Sequence, residues 1–370
     1  MLVTTTHTDE KKLLQQVRAA GQDHVLRYWD ELDDFSRNKL LAQLREIDFD
    51  LLARLYRNLI ENPAGAKISS RLEPADSIPL PKTLEEKQAF EDAKLVGEQA
   101  LRQGRVAAFV VAGGQGTRLG FPGPKGIFPI TPVKQKSFFQ LFAEQIKALS
   151  RKYQAAIPWL IMTSESNHED TVEFFERHEF FGLPPADVML FQQEMIPALD
   201  EQGKLILAAK DHIFTNPNGH GGSLSALHKS GALENMRARG IDLLFYFQVD
   251  NVLVKICDPL FIGFHLQHRA QMSAKVVSKR DAREKVGVVA KIAGRLGVVE
   301  YSDLSDDQKS KTNPDGSLRF RAGSIAIHVF DVPLIEDLNR DGFKLPWHVA
   351  HKVIPFLDER GEEQIPSRPN

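Results

Sequence analysis

The sequence has almost no cysteine: Cys257 stands alone in 370 residues. One thiol can form neither an internal disulfide nor a cysteine-based zinc site, and its expected place is a packed position in a reducing compartment. An excess of charge is missing too. Lys and Arg number 47 against 49 Asp and Glu, a formal net charge of −2, so no overall positive field draws the chain to nucleic acid. No apolar run approaches a membrane span, and the opening MLVTTTHTDEKK has no apolar signal segment. The expectation is a cytoplasmic protein without nucleic-acid or membrane partners. Internal repeats and low-complexity tracts are absent as well.

Hydrophobic residues at 42% and charged residues at 26% give the balance of an ordinary globular chain. The first 60 residues carry helical spacing. Leu13, Leu14 and Val17 repeat on one face, as do Leu40, Leu41 and Leu44, and Asp48 is placed to cap a helix bearing Leu51, Leu52 and Leu55. Pro63, Pro74, Pro79 and Pro81 then mark a connecting segment, and a further helix is expected from Leu84 to about Arg102.

Strands and helices alternate beyond that point. Val106 to Ala112 (VAAFVVA) is apolar throughout and of strand length, as suits a strand buried on both faces. Ser137 with Gln140 resembles a capping box ahead of a helix carrying Phe138, Phe142, Ile146 and Leu149. Further strands are expected at 158–163, 188–191 and 243–249, with a helix opened by Ser166 and Glu169 between the first two. This alternation predicts a doubly wound α/β domain. After about Ser273, SAKVVSK, VGVVAKI and LGVVEYS read as antiparallel strands, with Ala293-Gly294 as a turn, so the sheet should be mixed.

The strongest chemical signal closes the first of these strands. Ala112-Gly113-Gly114-Gln115-Gly116-Thr117-Arg118-Leu119-Gly120 is followed by Pro124-Lys125-Gly126. Ligands of α/β sheets bind beyond the carboxyl ends of strands. Adjacent glycines let the backbone approach a phosphate and offer it N–H groups. Arg118 adds a bidentate fork and Lys125 a compact charge. The segment lacks both the Gly-Lys-Ser/Thr of a P-loop and the full spacing of a dinucleotide fingerprint.

AGGQGTRLG with PKG resembles the nucleotide-binding signature of eukaryotic-type UDP-sugar pyrophosphorylases. The likeness continues through MTSESNHEDTVEFFERHEFFGL, the Phe191-Gln192-Gln193 strand end, FQVDNVLVKICDPLFIGF and VVEYSDL, which resemble UDP-N-acetylhexosamine pyrophosphorylases over about Leu13 to Asp358. The resemblance implies a Rossmann-like mixed sheet of the nucleotidyltransferase, glycosyltransferase-A-like kind with a helical N-terminal region. It divides the chain into a helical region and linker at 1–83, a catalytic domain at 84–358, and the start of a truncated C-terminal region at 359–370.

By the same resemblance, the chain joins UTP and a sugar 1-phosphate into a UDP-sugar and pyrophosphate. Arg118, Lys125 and Lys352, the last in HVAHK, would be the catalytic cations. Ala112, Gly113, Gly114, Gln193, Gly219 and Asp250 would hold the nucleotide, with Gln193 reading uracil. Asp250, ending a long apolar strand, would also hold Mg²⁺, which prefers oxygen ligands shared with phosphate. Gly219-His220-Gly221-Gly222 reads as a second flexible loop, over the uracil and the sugar phosphate. His220, Glu300 and Ser324 would face the sugar phosphate. His220 and Ser324 stand where the hexosamine enzymes usually carry asparagine, and His220 looks more like the glucose enzymes. The sugar therefore stays open between N-acetylglucosamine and glucose. Two other readings remain: a catalytically silent UDP-sugar-binding protein, and a helical interaction protein acting through its first 60 residues.

Overall fold

The structure, a computed structural model, describes residues 3–61, 72–340, 342, 343, 345, 347, 349 and 351–367. The chain divides into two compact units. One comprises Met1–Ala66, Met195–Asn218 and Leu345–Asn370, the other Lys67–Glu194 and Gly219–Lys344.

The first unit is built on the helices Val3–Ala19, Asp34–Glu46 and Phe49–Tyr56. Asp33 and Asp48 cap the second and third, accepting from Ser36 and Leu51 N–H groups at 2.8 Å. Leu13, Val17, Leu40, Leu41 and Leu44 are buried, as their spacing predicts. Their core is completed from far along the chain, by Leu205, Leu207 and Ile213. These belong to short antiparallel pairs, Met195–Pro197 with Thr215–Pro217 and Leu207–Ala209 with His212–Ile213. Polar side chains fix that segment. Gln22 donates to the Gly203 carbonyl and accepts from the Leu205 N–H, each at 2.9 Å. Gln43 accepts from the Ile213 N–H at 2.8 Å.

The second unit holds the sheet. Its strands run in the order Leu72–Pro74, Val288–Ile292, Ala322–Asp331, Leu243–Gln248, Val106–Val111, Trp159–Thr163, Val188–Gln192. The last four are mutually parallel and the others antiparallel, so the mixed sheet expected from the sequence is present. Ala293 and Gly294, both with positive φ, turn Val288–Ile292 into Arg295–Val299. Met272–Ser278 pairs instead with Ala322–Asp331.

Alternation along the parallel strands decides which side chains meet which helices. Val106, Ala108, Val110, Trp159, Ile161, Phe245 and Phe247 share one core with Phe138, Phe142 and Ile146 of the helix Phe138–Tyr153, Phe175 of His168–Arg177 and Ile262 of Pro259–Gln267. Phe109, Phe191 and Tyr246 point to the opposite face, where their rings contact one another. The helix Gly219–Lys229 reaches that face, with His220 on the Tyr246 hydroxyl. The helices Leu84–Arg102 and Pro259–Gln267 cross very closely. A Cβ on Gly97 would lie 1.8 Å from the Pro259 carbonyl oxygen, and one on Gly263 1.6 Å from that of Ala93.

Two local expectations are corrected. Ser166 does not open the next helix: Asn167 occupies the N-cap position before His168–Arg177, and the Ser166 hydroxyl and carbonyl take the Gln115 amide at 3.3 and 3.1 Å. Gly219-His220-Gly221-Gly222 is no loop but the first turn of a helix. Tertiary burial from Gly222 to Leu227 outweighs the low helix propensity of its glycines.

Candidate active site

The chain passes from Val106–Val111 to Trp159–Thr163 to Val188–Gln192 in one direction, then returns to place Leu243–Gln248 on the other side of Val106–Val111. The strand order therefore reverses between Val106–Val111 and Leu243–Gln248, and the crevice at such a switch point is the ligand position of open α/β sheets. The glycine loop leaves one of these strands there, and Asp250 follows the other.

The loop is anchored from below and open above. Ala112 is fully buried, its N–H bonded to the Met162 carbonyl at 2.7 Å. Asn167, 1% exposed, donates to the Ala112 carbonyl at 3.1 Å and accepts from the Ser164 N–H at 2.8 Å, tying the loop to the end of the neighbouring strand. The Gly114 carbonyl takes the Lys125 N–H at 3.0 Å, and the Gly123 carbonyl takes the Gly116 N–H at 2.8 Å. Among the described residues, the N–H groups of Gly113 and Gly114 make no hydrogen bond. Unpaired backbone N–H groups of this kind are donors that an anion can use.

Lys125 and Gln193 border these glycines, and Arg118 follows them on the same loop. The Lys125 ammonium meets the Asp250 carboxylate at 3.2 Å across the switch point, and lies 3.7 Å from where a Gly114 Cβ would be. Arg118 projects from the single turn Thr117–Leu119, exposed and without a hydrogen bond or ion pair among the described residues. Gln193, its N–H on the Thr163 carbonyl at 2.8 Å, brings its amide to 2.6 Å from a built Gly113 Cβ. Ala112, Gly113, Gly114, Arg118, Lys125, Gln193 and Asp250 are thus gathered at one edge of the sheet.

His220 belongs to the adjoining face. Its Nδ1 is 3.2 Å from the Tyr246 hydroxyl, and the Gln248 amide lies 3.3 Å from its Nε2. Burial pushes the Tyr246 phenol well above its ordinary pKa, against the smaller effect of hydrogen bonds from Ser223 and Gln248, so it stays protonated. His328, whose ring is 5.4 Å from that of Tyr246, is held down to a pKa of about 4 by burial first and then by the neighbouring His220. Among the described residues its buried Nδ1 has no hydrogen-bond partner.

Glu300 and Ser324 form a separate cluster in the same unit. Ser324 donates its N–H to the Gly287 carbonyl at 2.8 Å, and a Cβ on Gly287 would lie 3.5 Å from both Glu300 carboxylate oxygens. A bulge sets the direction of Ser324. Val276 pairs with Ser324 but Lys275 with Ile327, which leaves Ile325 and Ala326 extra, with Ala326 at φ 51°.

Gly219, at φ 68°, begins the helix that carries His220. Lys352 belongs to the first unit, where its ammonium reaches the Asn216 side-chain oxygen at 3.5 Å. His348 and Ala350 of the same segment lie outside the described residues. Cys257 is fully buried, and burial pushes its thiol far above the ordinary range, so it is no nucleophile. Among the described residues no cluster of three or more His, Cys, Asp or Glu could hold a metal, and no helix is long and apolar enough to cross a membrane.

Asn167, Tyr246, Gln248 and His328 escaped the sequence reading. Asn167 had a signal, an asparagine directly before a helix. The others reach the site through sheet pairing alone.

Comparison with known proteins followed the same direction. The family pattern described as UTP–glucose-1-phosphate uridylyltransferase matches residues 52–359. A mouse protein called UDP-N-acetylhexosamine pyrophosphorylase-like protein 1 is 37% identical, over 98% of this chain and 74% of its own. The UDP-N-acetylglucosamine pyrophosphorylase of Saccharomyces cerevisiae is 35% identical, over 98% of this chain and 78% of its own. The crystal structure of the uridine diphosphate N-acetylglucosamine pyrophosphorylase of Trypanosoma brucei superposes with a TM-score of 0.83 at 28% identity, covering 96% of this chain and 73% of that one.

Proposed function

Because the chain belongs to the UTP–glucose-1-phosphate uridylyltransferase family of nucleotidyltransferases, we propose that it converts UTP and N-acetylglucosamine 1-phosphate into UDP-N-acetylglucosamine and pyrophosphate. One observation carries this reading: two free N–H groups, on Gly113 and Gly114, open beside Lys125 and Arg118 at the strand-order reversal. That arrangement suits a triphosphate better than any neutral ligand.

In the reaction, an oxygen of the sugar 1-phosphate attacks the α-phosphorus of UTP, a P–O bond forms, and the bond to the pyrophosphate oxygen breaks. A phosphate monoester has its second pKa near ~6 and is already anionic at neutral pH, so no general base is required. The barrier lies in bringing two polyanions together. Lys125 and Arg118 offset that repulsion, and the glycine N–H groups hold phosphate oxygens without reorganisation. Catalysis is then positioning and electrostatics, with no covalent intermediate.

Asp250 fits a role beside Mg²⁺. This ion is commonly held by one or two carboxylates together with substrate phosphates, and the Asp250 side chain is 52% exposed at the strand end. Bound there, the ion would supply further neutralisation of phosphate charge. In this reading Gln193 pairs with the uracil edge, its amide able both to donate and to accept. The lone, buried Cys257 suits the cytoplasm.

A second sugar deserves a direct comparison because of His220, which sits hydrogen-bonded to Tyr246 where an asparagine was expected. Pyrophosphate release should be measured with UTP and either N-acetylglucosamine 1-phosphate or glucose 1-phosphate. Higher kcat/KM with the first supports the proposal. Higher kcat/KM with glucose 1-phosphate replaces the sugar, and no release with any sugar 1-phosphate removes the activity.

A further inference from the structure

We infer that Asn167 is a positioning residue for the nucleotide phosphates: its side-chain amide replaces the last ladder bond between Val106–Val111 and Trp159–Thr163 and so turns the Gly113 N–H into the crevice. This rests on the uridylyl-transfer reading above. The two strands are parallel, with Val111 beside Met162. Bonds of a parallel ladder are evenly spaced. Here the Ala108 N–H meets the Pro158 carbonyl at 2.8 Å and the Ala112 N–H meets the Met162 carbonyl at 2.7 Å. The next bond of that series would run from the Ser164 N–H to the Ala112 carbonyl, and it is not made. The Ser164 N–H donates instead to the Asn167 side-chain oxygen at 2.8 Å, and the Asn167 Nδ2 donates to the Ala112 carbonyl at 3.1 Å. One amide group is thus inserted between two strand ends and holds them apart at the mouth of the crevice.

Peptide geometry carries the effect to the loop. The Ala112–Gly113 bond is trans, so its C=O and N–H point in opposite directions. Asn167 holds the carbonyl toward the turn 164–167, and the Gly113 N–H therefore faces away from that turn. Glycine makes rotation of this peptide plane cheap, and the ladder does not extend far enough to restrain it. Asn167 supplies the restraint. Its Nδ2 also lies 3.5 Å from the Gly114 carbonyl, and the Gln115 amide bonds back to Ser166, so the loop is tied to one turn from both sides. The side chain is not spent on its own helix. Asn167 holds the N-cap position of His168–Arg177 yet accepts from none of that helix's N–H groups, which is the usual service of an asparagine there. At 1% exposure its amide is committed to the strand ends.

The test begins with Asn167→Ala, which removes the inserted amide and leaves the Ser164 N–H and the Ala112 carbonyl free to bond each other. The ladder can then close by one step, so the variant should melt close to the unaltered chain. Its kcat with UTP and N-acetylglucosamine 1-phosphate should fall roughly a hundredfold, the scale for a misplaced reacting group, while KM for the sugar 1-phosphate stays within about threefold. Amide hydrogen exchange followed by NMR reads the loop directly. UTP should protect the Gly113 N–H in the unaltered chain and not in Asn167→Ala. Unchanged turnover in the variant overturns the inference and leaves the transferase reading intact, as does an unaltered chain that turns over while UTP leaves Gly113 unprotected. A large fall in melting temperature with both KM values raised alike makes Asn167 structural and also overturns it. If Asn167→Ala does not fold, Asn167→Asp takes its place with the same expected and overturning results, since it keeps the bond from Ser164 and loses the donor to Ala112. If the unaltered chain shows neither turnover nor Gly113 protection with UTP, the transferase reading fails and takes this inference with it.

Discussion

Lys125→Met separates catalysis from stability. The Lys125 side chain is 18% exposed and that of its partner Asp250 52%, with the charges 3.2 Å apart. At that distance Coulomb's law gives about 1.3 kcal/mol with the dielectric of bulk water and about 5 kcal/mol at an effective value of 20. The half-exposed carboxylate places the pair near the watery limit, and exposed pairs typically return about 0–1 kcal/mol once side-chain ordering is counted. Methionine keeps the stem packed, so the folded state should lose no more than about 1 kcal/mol. The barrier should behave differently. A preorganised charge aimed at a reacting phosphate lowers kcat by about 10²–10³ when removed, equivalent to about 2.7–4 kcal/mol. Steady-state pyrophosphate release and urea unfolding of the same preparation give both quantities. Turnover within about threefold of the unaltered chain would refute the role of Lys125. So would a stability loss as large as the rise in barrier, because the lysine would then be holding the fold together.

Asp250→Asn keeps the shape and removes the charge, so half-maximal activity should require more Mg²⁺; an unchanged metal titration would remove Asp250 from the metal site. His328 links stability to pH: its folded pKa of about 4 lies below the ordinary 6.5, so it is neutral in both states above that value and has no effect there. As pH falls below about 6.5 the unfolded chain takes up a proton that the folded chain refuses, and stability drops by about 3 kcal/mol, levelling off below about pH 4. His328→Phe should flatten the melting temperature between pH 7 and 4 relative to the unaltered chain, and parallel curves would contradict the burial argument. Gly263→Ala would drive a methyl to 1.6 Å from the Ala93 carbonyl oxygen, a backbone atom that cannot swing away. The helices must separate, at a cost of about 1–3 kcal/mol or more in chemical denaturation, and a neutral result would mean the crossing is looser than described.

Much of the candidate site was legible because its information is local. VAAFVVA announces a strand buried on both faces, and the glycines after it announce a backbone that something must approach closely. Resemblance then tied Gln193 and Asp250 to the same site, and the parallel register brings their strand ends to that edge. Local signals also misled. Ser166 with Glu169 reads as a helix start, but the helix begins after Asn167, whose side chain is committed to the Ala112 and Ser164 backbone. The glycines of 219–222 look like a loop until burial on Tyr246's side of the sheet is counted.

The sequence alone determined most of the elements, because hydrophobic period and capping chemistry are properties of neighbouring residues. It also put glycines, an arginine and a lysine into one loop, residue types that suit a phosphate. The tertiary structure decided which distant elements met. It placed Leu243–Gln248 beside Val106–Val111 and so put Asp250 opposite Lys125. It joined Leu205, Leu207 and Ile213 to the helices of the first 60 residues. Each of these depends on contacts between residues far apart in the chain, whose free energy is set by burial and packing after folding and leaves no periodic trace in the sequence.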